Sequence, residues 1–353
     1  MFLITRAALL LLGWRASSLL DAPGPNPSVL PRHDVLAHAW QWTSPWFRFD
    51  TSWYVRVADH GYHWGGLGVA DTNFMPLYPA LIRIFQPLAL GSPWLAAWIV
   101  ANLAALAAFI VLWEWAIARF GLEIGTRTLL LVVIFPFAFF FMTPYAESLF
   151  LALAVAAFVL VESDRWVLAA CTAGLSTIAR PVGAAVVLAL VVLALSRGRR
   201  REAVIAAISI GPLVAFAVYL GLAFGHPLGF LTYHSAGWVP PHGGLGATVA
   251  SQFQTKLSPW DRVDVAVTVL FLGSVPFIWR RLGPAYAAYA FIGVALPLVH
   301  GLVSMERYVI VLFPAMACWA TWKSRTGQAV LFCLSALGLI VATVLFATGY
   351  SIF

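Results

Sequence analysis

The stretch "WFRFDTSWYVRVADHGY", from Trp46 to Tyr62, gathers two aspartates, two arginines and a histidine among six aromatic rings. A carboxylate such as Asp50 or Asp59 can take a proton from a reacting hydroxyl. A guanidinium such as that of Arg48 can hold a phosphate through paired N–H donors. His60 and His63 stand three apart, but no carboxylate of matching geometry completes a metal set. A plainer reading of Asp50 stands beside the chemical one. Followed by Thr51-Ser52-Trp53, it makes a good helix N-cap, its side chain accepting a backbone N–H two or three residues on. Asp59 can equally be a solvated charge. On a helix, Trp46, Asp50, Trp53, Tyr54 and Val57 share one face. That predicts an amphipathic helix at a membrane surface with a carboxylate set into its apolar side.

Those residues sit in a chain of 353 residues, 62% hydrophobic and 10% charged. Soluble domains carry about 25% charged residues, so the composition excludes a soluble globular protein and predicts an all-α polytopic membrane protein. At about 15–22 apolar residues per crossing, about eleven transmembrane helices are expected: 2–20, 94–118, 127–142, 145–161, 166–179, 182–196, 203–225, 263–279, 284–303, 306–322 and 328–349. The first lacks a strongly basic start and a small-residue cleavage site, and reads as a retained helix rather than a signal peptide. Cys171, Cys318 and Cys333 all lie in these apolar segments and read as buried, inert thiols.

Alternating the loops sorts the charge. Arg119, Arg127, Arg165, the "RGRR" run from Arg197 with Arg201, Arg280, Arg281, Lys323 and Arg325 fall on one side, which the positive-inside rule makes cytoplasmic. The formal net charge of +7 therefore reports topology, and no nucleic-acid partner is expected. The opposite side receives the histidines, most of the acids and two long loops, 21–93 and 226–262. Within 21–93, "HDVLAHAWQW" and "DTSWYVRVADHGY" each predict a short helix started by Asp34 or Asp50. The whole of 1–353 reads as a single membrane domain with its polar chemistry on the exocytoplasmic face. Three hairpin tips point the same way. "TPYAES" carries Tyr145 and Glu147, "IARPVG" carries Arg180, and "SMERY" carries Glu306 and Arg307. The two spans beside Arg180 have about 14–15 residues, about 21 Å of helix against a core of about 30 Å. Arg180 must then lie below the outer surface, where a charge needs water, a partner or a ligand. Three tips and two loops are expected to enclose one pocket, with "HSAGWVPPHGGLGA" as a lid or a plain surface loop.

"RFDTSWYVRVADHGY" resembles the first-loop signature of the PIG-V family, mannosyltransferases of the GT-C superfamily. The residues that carry the resemblance are Phe49, Asp50, Trp53, Tyr54, Gly61 and Tyr62. "FMPLYPALIR" (Phe74 to Arg83, with Tyr78), "PYAESLFLAL", "IARPVG" and "ERYVIVLFP" are similar to later family blocks, in family order. Two departures are Phe49 before Asp50, where the family often has Trp, and Pro181-Val182 after Arg180, where Ser-Asn is common.

The resemblance implies a GT-C-type fold and a polyprenyl-phosphate-linked sugar donor. The transfer would be of mannose, at the exocytoplasmic face of a prokaryotic cytoplasmic membrane, with inversion at the anomeric carbon. The acceptor would be a glycolipid, glycan or protein. Inverting transfer needs one base, for which Asp50 is the candidate. Arg180 and Arg307 are candidates for the donor phosphate, with Arg48, His234 and Lys256 as further donor-binding groups. Trp53, Tyr54, Asp59, Tyr78, Tyr145, Glu147 and Glu306 are candidates for the substrate pocket. No DxD motif is present, so a metal-independent reaction without cofactors is expected. Two other classes remain open. A transporter or flippase would need polar groups through the inner halves of the spans, which offer almost none. A non-catalytic assembly subunit with the same frame would tolerate loss of Asp50.

Overall fold

The computed structural model describes residues 1–19, 26–64, 71–231, 259–299, 301–302 and 304–350. Among these, every regular element is helical, and each of the predicted spans contains helix, although 127–142 and 306–322 are interrupted. Five helices are long and apolar enough to cross a bilayer: Phe2–Leu19, Pro93–Phe120, Arg200–Phe224, Trp260–Leu282 and Arg325–Thr348. Trp166–Ala179, Pro181–Ser196 and Pro284–Leu298 are shorter apolar helices. The outer faces of these helices carry Leu3, Ile4, Leu103, Ile110, Val167, Leu222, Val269, Leu337 and Val341, all exposed. Lipid contact explains such faces, since helices with internally satisfied backbones are what a bilayer accepts. The protein is an integral membrane protein. Cys171 and Cys333 lie on such exposed faces and only Cys318 is buried, which corrects the expectation of three buried thiols.

The chain divides into two compact units. The first comprises Met1–Tyr62, Pro76–Ala152 and Trp322–Ile352. Its helices are α1 (Phe2–Leu19), α2 (Trp40–Thr43), α3 (Thr51–His60), α4 (Leu77–Phe85), α5 (Pro93–Phe120), α6 (Leu122–Ile134), the start of α7 (Glu147–Glu162), and the C-terminal helix Arg325–Thr348. α1 packs on the C-terminal helix, and α3 and α4 pack on α5. One capping network ties the first loop to the head of α5. Asp34 accepts from the Leu36 N–H at 3.0 Å and from the Ser92 hydroxyl at 2.6 Å, and Ser92 in turn caps the Leu95 N–H at 3.0 Å. α6 stops at Ile134 because Phe135, extended at ψ 145°, precedes Pro136. The predicted span 127–142 is therefore broken, its second part a 3-10 turn over Ala138–Phe141.

The second unit comprises His63–Met75 and Leu153–Thr321. It holds α8 (Trp166–Ala179), α9 (Ala184–Ser196), α10 (Arg200–Ile208), α11 (Gly211–Phe224), α12 (Pro259–Leu282), α13 (Pro284–Leu298), α14 (Met305–Val309) and α15 (Phe313–Ala320). Its centre is aromatic: Phe158 stacks on Tyr286 with ring centres 4.3 Å apart, and Tyr289 and Phe313 close around Phe158. The predicted span 306–322 is two helices, α14 and α15, with Pro314 in the first turn of the second. Part of the first loop belongs to this unit. Thr72 donates to the Gly229 carbonyl at 3.0 Å, and Trp64 stacks on His226 with ring centres 4.1 Å apart.

Candidate functional site

Asp50 stands at the head of α3, directly after a strained turn. The single amphipathic face predicted from Trp46 through Asp50 to Val57 does not form, because the 3-10 turn Ser44–Trp46 ends before Phe47, and Phe49 adopts φ +49°. A left-handed conformation costs an L-residue about 1–2 kcal/mol, so neighbouring groups must hold it. They do so through the Tyr145 hydroxyl. It donates to the Arg48 carbonyl at 2.9 Å and accepts from the Asp50 N–H at 3.3 Å, bridging the two peptides beside Phe49. The Thr51 N–H and hydroxyl also donate to the Arg48 carbonyl, at 3.2 and 3.1 Å. Asp50 occupies the N-cap position of α3, yet its side chain makes no capping bond. The residue is half-buried. The capping role that competes with a chemical one is thus not taken by this side chain.

A tyrosine cluster supports this turn. Tyr54 meets Tyr78 edge to face, ring centres 4.9 Å apart, and lies 6.3 Å from Tyr145. Tyr78 is fully buried and donates to the Ala97 carbonyl at 2.7 Å. Burial, with Tyr54, Glu147 and Tyr145 close by, pushes its hydroxyl well above the usual tyrosine range, so it stays a donor. Tyr78 acts as a buried strut between α4 and α5. Glu147, the first residue of α7, is fully buried. Trp53 is half-buried with the Arg56 guanidinium 5.6 Å from its ring centre. Asp59 forms a surface pair with Arg83 at 3.6 Å, an interaction of little energetic weight.

The second unit carries the cations. Arg180 ends α8 in an extended conformation, φ −151°. Its guanidinium donates to the Arg307 carbonyl at 3.2 Å and lies 4.6 Å from the centre of the Tyr308 ring. Both arginines are buried, at 7% and 8% exposure. Arg180 is thereby aimed by the "ERY" turn itself, while Ser304 at φ +64° starts that turn. Gly183 explains the end of "IARPVG": a Cβ there would lie 2.4 Å from the Ser176 carbonyl carbon and oxygen. Glu306 is 1% exposed, and its carboxyl lies against that of Asp264, which accepts from the Met305 N–H at 3.0 Å. Neither Glu306 oxygen meets a donor among the described residues. Two carboxylates in contact repel when both are ionised. Asp264 was not among the sequence candidates; its one signal was an acid inside the apolar span 263–279.

Arg48 is turned to the chain. Its guanidinium donates to the Asn26 carbonyl and, at 2.8 Å, to the Ala347 carbonyl, fixing the C-terminal helix to the first loop. His234 and Lys256 lie outside the described residues, as does the predicted lid. His63 instead faces the buried Asp71, Nδ1 to Oδ2 at 3.4 Å. Among the described residues no three His, Cys, Asp or Glu side chains gather as a metal site. The Asp50 cluster belongs to the first unit and the Arg180–Arg307 pair to the second.

No family model matches the chain, and no curated protein matches it in sequence. The fold does have a solved counterpart. The crystal structure of ArnT from Cupriavidus metallidurans bound to undecaprenyl phosphate aligns over 98% of this chain and 76% of its own, with a TM-score of 0.55 at 12% identity. The chain therefore shares the polytopic, all-helical fold of that protein.

Proposed function

We propose that this protein is an inverting glycosyltransferase. It moves a sugar, mannose by the motif resemblance, from a polyprenyl-phosphate carrier to a hydroxyl of a glycolipid, glycan or protein. The fold shared with ArnT supports the class, and the undecaprenyl phosphate bound to that protein supports the carrier. The observation that carries the mechanism is Asp50, half-buried at the head of α3 with a side chain that does not cap the helix. Asp50 takes the proton of the acceptor hydroxyl, and the acceptor oxygen attacks the anomeric carbon. The bond from that carbon to the phosphate oxygen breaks, and its electron pair leaves on the polyprenyl phosphate. By the motif resemblance, Arg180 and Arg307 are the candidates for the leaving phosphate, a group that paired guanidinium donors suit. The alternation of loop charges supports the exocytoplasmic face as the side of this chemistry, and the motif resemblance supports a prokaryotic cytoplasmic membrane.

The test is turnover of a short-chain polyprenyl-phosphate-mannose by the purified protein, with and without chelator, against Asp50→Asn. Loss of a general base lowers the rate about 10²–10⁴-fold, while Asn would serve a cap nearly as well. Near-normal turnover by the folded Asn variant overturns the reading. Passage of the lipid across a vesicle without turnover would select a flippase.

A further inference from the structure

Tyr145 is fully buried in the first unit, and the role of a substrate-pocket residue does not explain its contacts. Its ring is held between Phe140, 5.8 Å away and near parallel, and Tyr54, 6.3 Å away. Its own N–H donates to the Thr143 carbonyl at 2.8 Å, so the residue stands on a tight backbone turn just before α7. The side chain is fully buried. Its hydroxyl donates to the Arg48 carbonyl and accepts from the Asp50 N–H. Both partners are backbone atoms, and they flank the one residue of this segment with a positive φ, Phe49.

We infer that Tyr145 is a positioning residue for Asp50: its hydroxyl locks the left-handed turn at Phe49 and so sets where the Asp50 carboxylate points. This rests on the reading of Asp50 as the base. The logic is geometric. A chain that passes through φ +49° at a phenylalanine has a lower-energy alternative within reach, since the ordinary right-handed and extended regions suit Phe better. Rotating that residue swings the next peptide and re-aims the Asp50 side chain. The hydroxyl opposes the rotation because it needs both peptides in their present orientation to make its two bonds. Phe346 adds a second restraint, its ring centre 5.6 Å from that of Phe49. A rate that depends on a base within hydrogen-bond reach of its proton is sensitive to such a swing, and misplacement by about 1 Å can cost about 10²-fold.

The experiment compares the full-length protein with Tyr145→Phe, Asp50→Asn and the double variant. Donor KM, kcat and thermal stability are measured with polyprenyl-phosphate-mannose. Tyr145→Phe keeps the ring and removes the hydroxyl that makes the bridge. The expected result is a fall in kcat of about 10–100-fold, with donor KM within about twofold of wild type. In the Asp50→Asn background the same change should cost nothing further, because a residue that acts through another loses its effect when that other is gone. A raised donor KM with kcat intact would overturn the proposal, as would an equal loss in both backgrounds. Should Tyr145→Phe not fold, Phe49→Gly tests the same turn without touching the hydroxyl. Glycine frees φ at that position, so kcat should fall with donor KM unchanged, and an unaltered kcat would overturn the proposal. Failure of the underlying reading looks different: Asp50→Asn would then turn over at the wild-type rate.

Discussion

The Arg180 guanidinium donates to the backbone carbonyl of Arg307 at 3.2 Å, so one buried cation is oriented by the peptide of the next. A carbonyl orients a guanidinium but does not neutralise it. Two explanations compete for the counter-charge: a structural acid, or the donor phosphate. Of the two acids expected as structural partners, Glu306 has its carboxyl against Asp264.

The phosphate reading predicts that Arg180→Lys leaves the protein folded and lowers kcat/KM for the donor. Lysine keeps the charge but offers a point donor in place of a fork. The expected fall is about tenfold or more, given that charge-assisted bonds are worth about 1.5–3 kcal/mol. A double-mutant cycle between Arg180→Ala and Glu147→Ala decides against it if the two couple strongly in thermal stability while Arg180→Lys binds donor as well as wild type.

Gly183→Ala should destabilise the protein. The added Cβ would press on the Ser176 carbonyl and the Thr177 nitrogen at 2.4 Å, and backbone has nowhere to yield. Overpacking of this kind costs about 1–3 kcal/mol or more. A melting temperature in detergent equal to that of wild type would show that α8 and α9 can part at this turn.

The sidedness is tested by labelling. His33 and Ser196 are both exposed. With the two lipid-facing thiols, Cys171 and Cys333, replaced by serine, cysteine at His33 should react with an impermeant thiol reagent on intact cells. Cysteine at Ser196 should react only after lysis. The opposite pattern would put the chemistry in the cytoplasm.

Much of the frame could be read from the chain, because the signals are local. Apolar runs mark the spans and Asp34 marks a helix start, whereas the breaks next to Pro136 and Pro314 lie inside runs that read as continuous spans. Arg180 announced itself as a charge between two short apolar helices. What escaped is long-range or conformationally unusual. A phenylalanine at φ +49° has no sequence signal, since left-handed turns are read from Gly or Asn. The predicted aromatic face therefore ran straight through a break. Arg48 looked like a free cation because its acceptor, the Ala347 carbonyl, is a backbone atom at the far end of the chain. Asp264 and Glu306 come from separate helices, and nothing in either helix alone tells of the other.

That last pair yields a prediction of its own. Asp264 accepts from the Met305 N–H, and Glu306, 1% exposed, finds no donor among the described residues. Arg307 and Asp261 are the other charged groups whose fields reach the pair. If the pair is held by a proton, Glu306→Gln should preserve it. The amide N–H can donate to the Asp264 carboxylate in place of the acid O–H, and the shape is nearly unchanged. The melting temperature should then stay close to that of wild type. Glu306→Ala removes the contact and leaves a buried Asp264 oxygen without its partner, which should cost about 1–3 kcal/mol. The competing arrangement is two carboxylates around a divalent cation. In that case Glu306→Gln would lose stability nearly as much as Glu306→Ala, and added divalent cation would raise the melting temperature of wild type but not of the Gln variant. Thermal melts of the three proteins, with chelator and with added magnesium or manganese, separate the two, and a cation-dependent melt confined to wild type would defeat the shared proton.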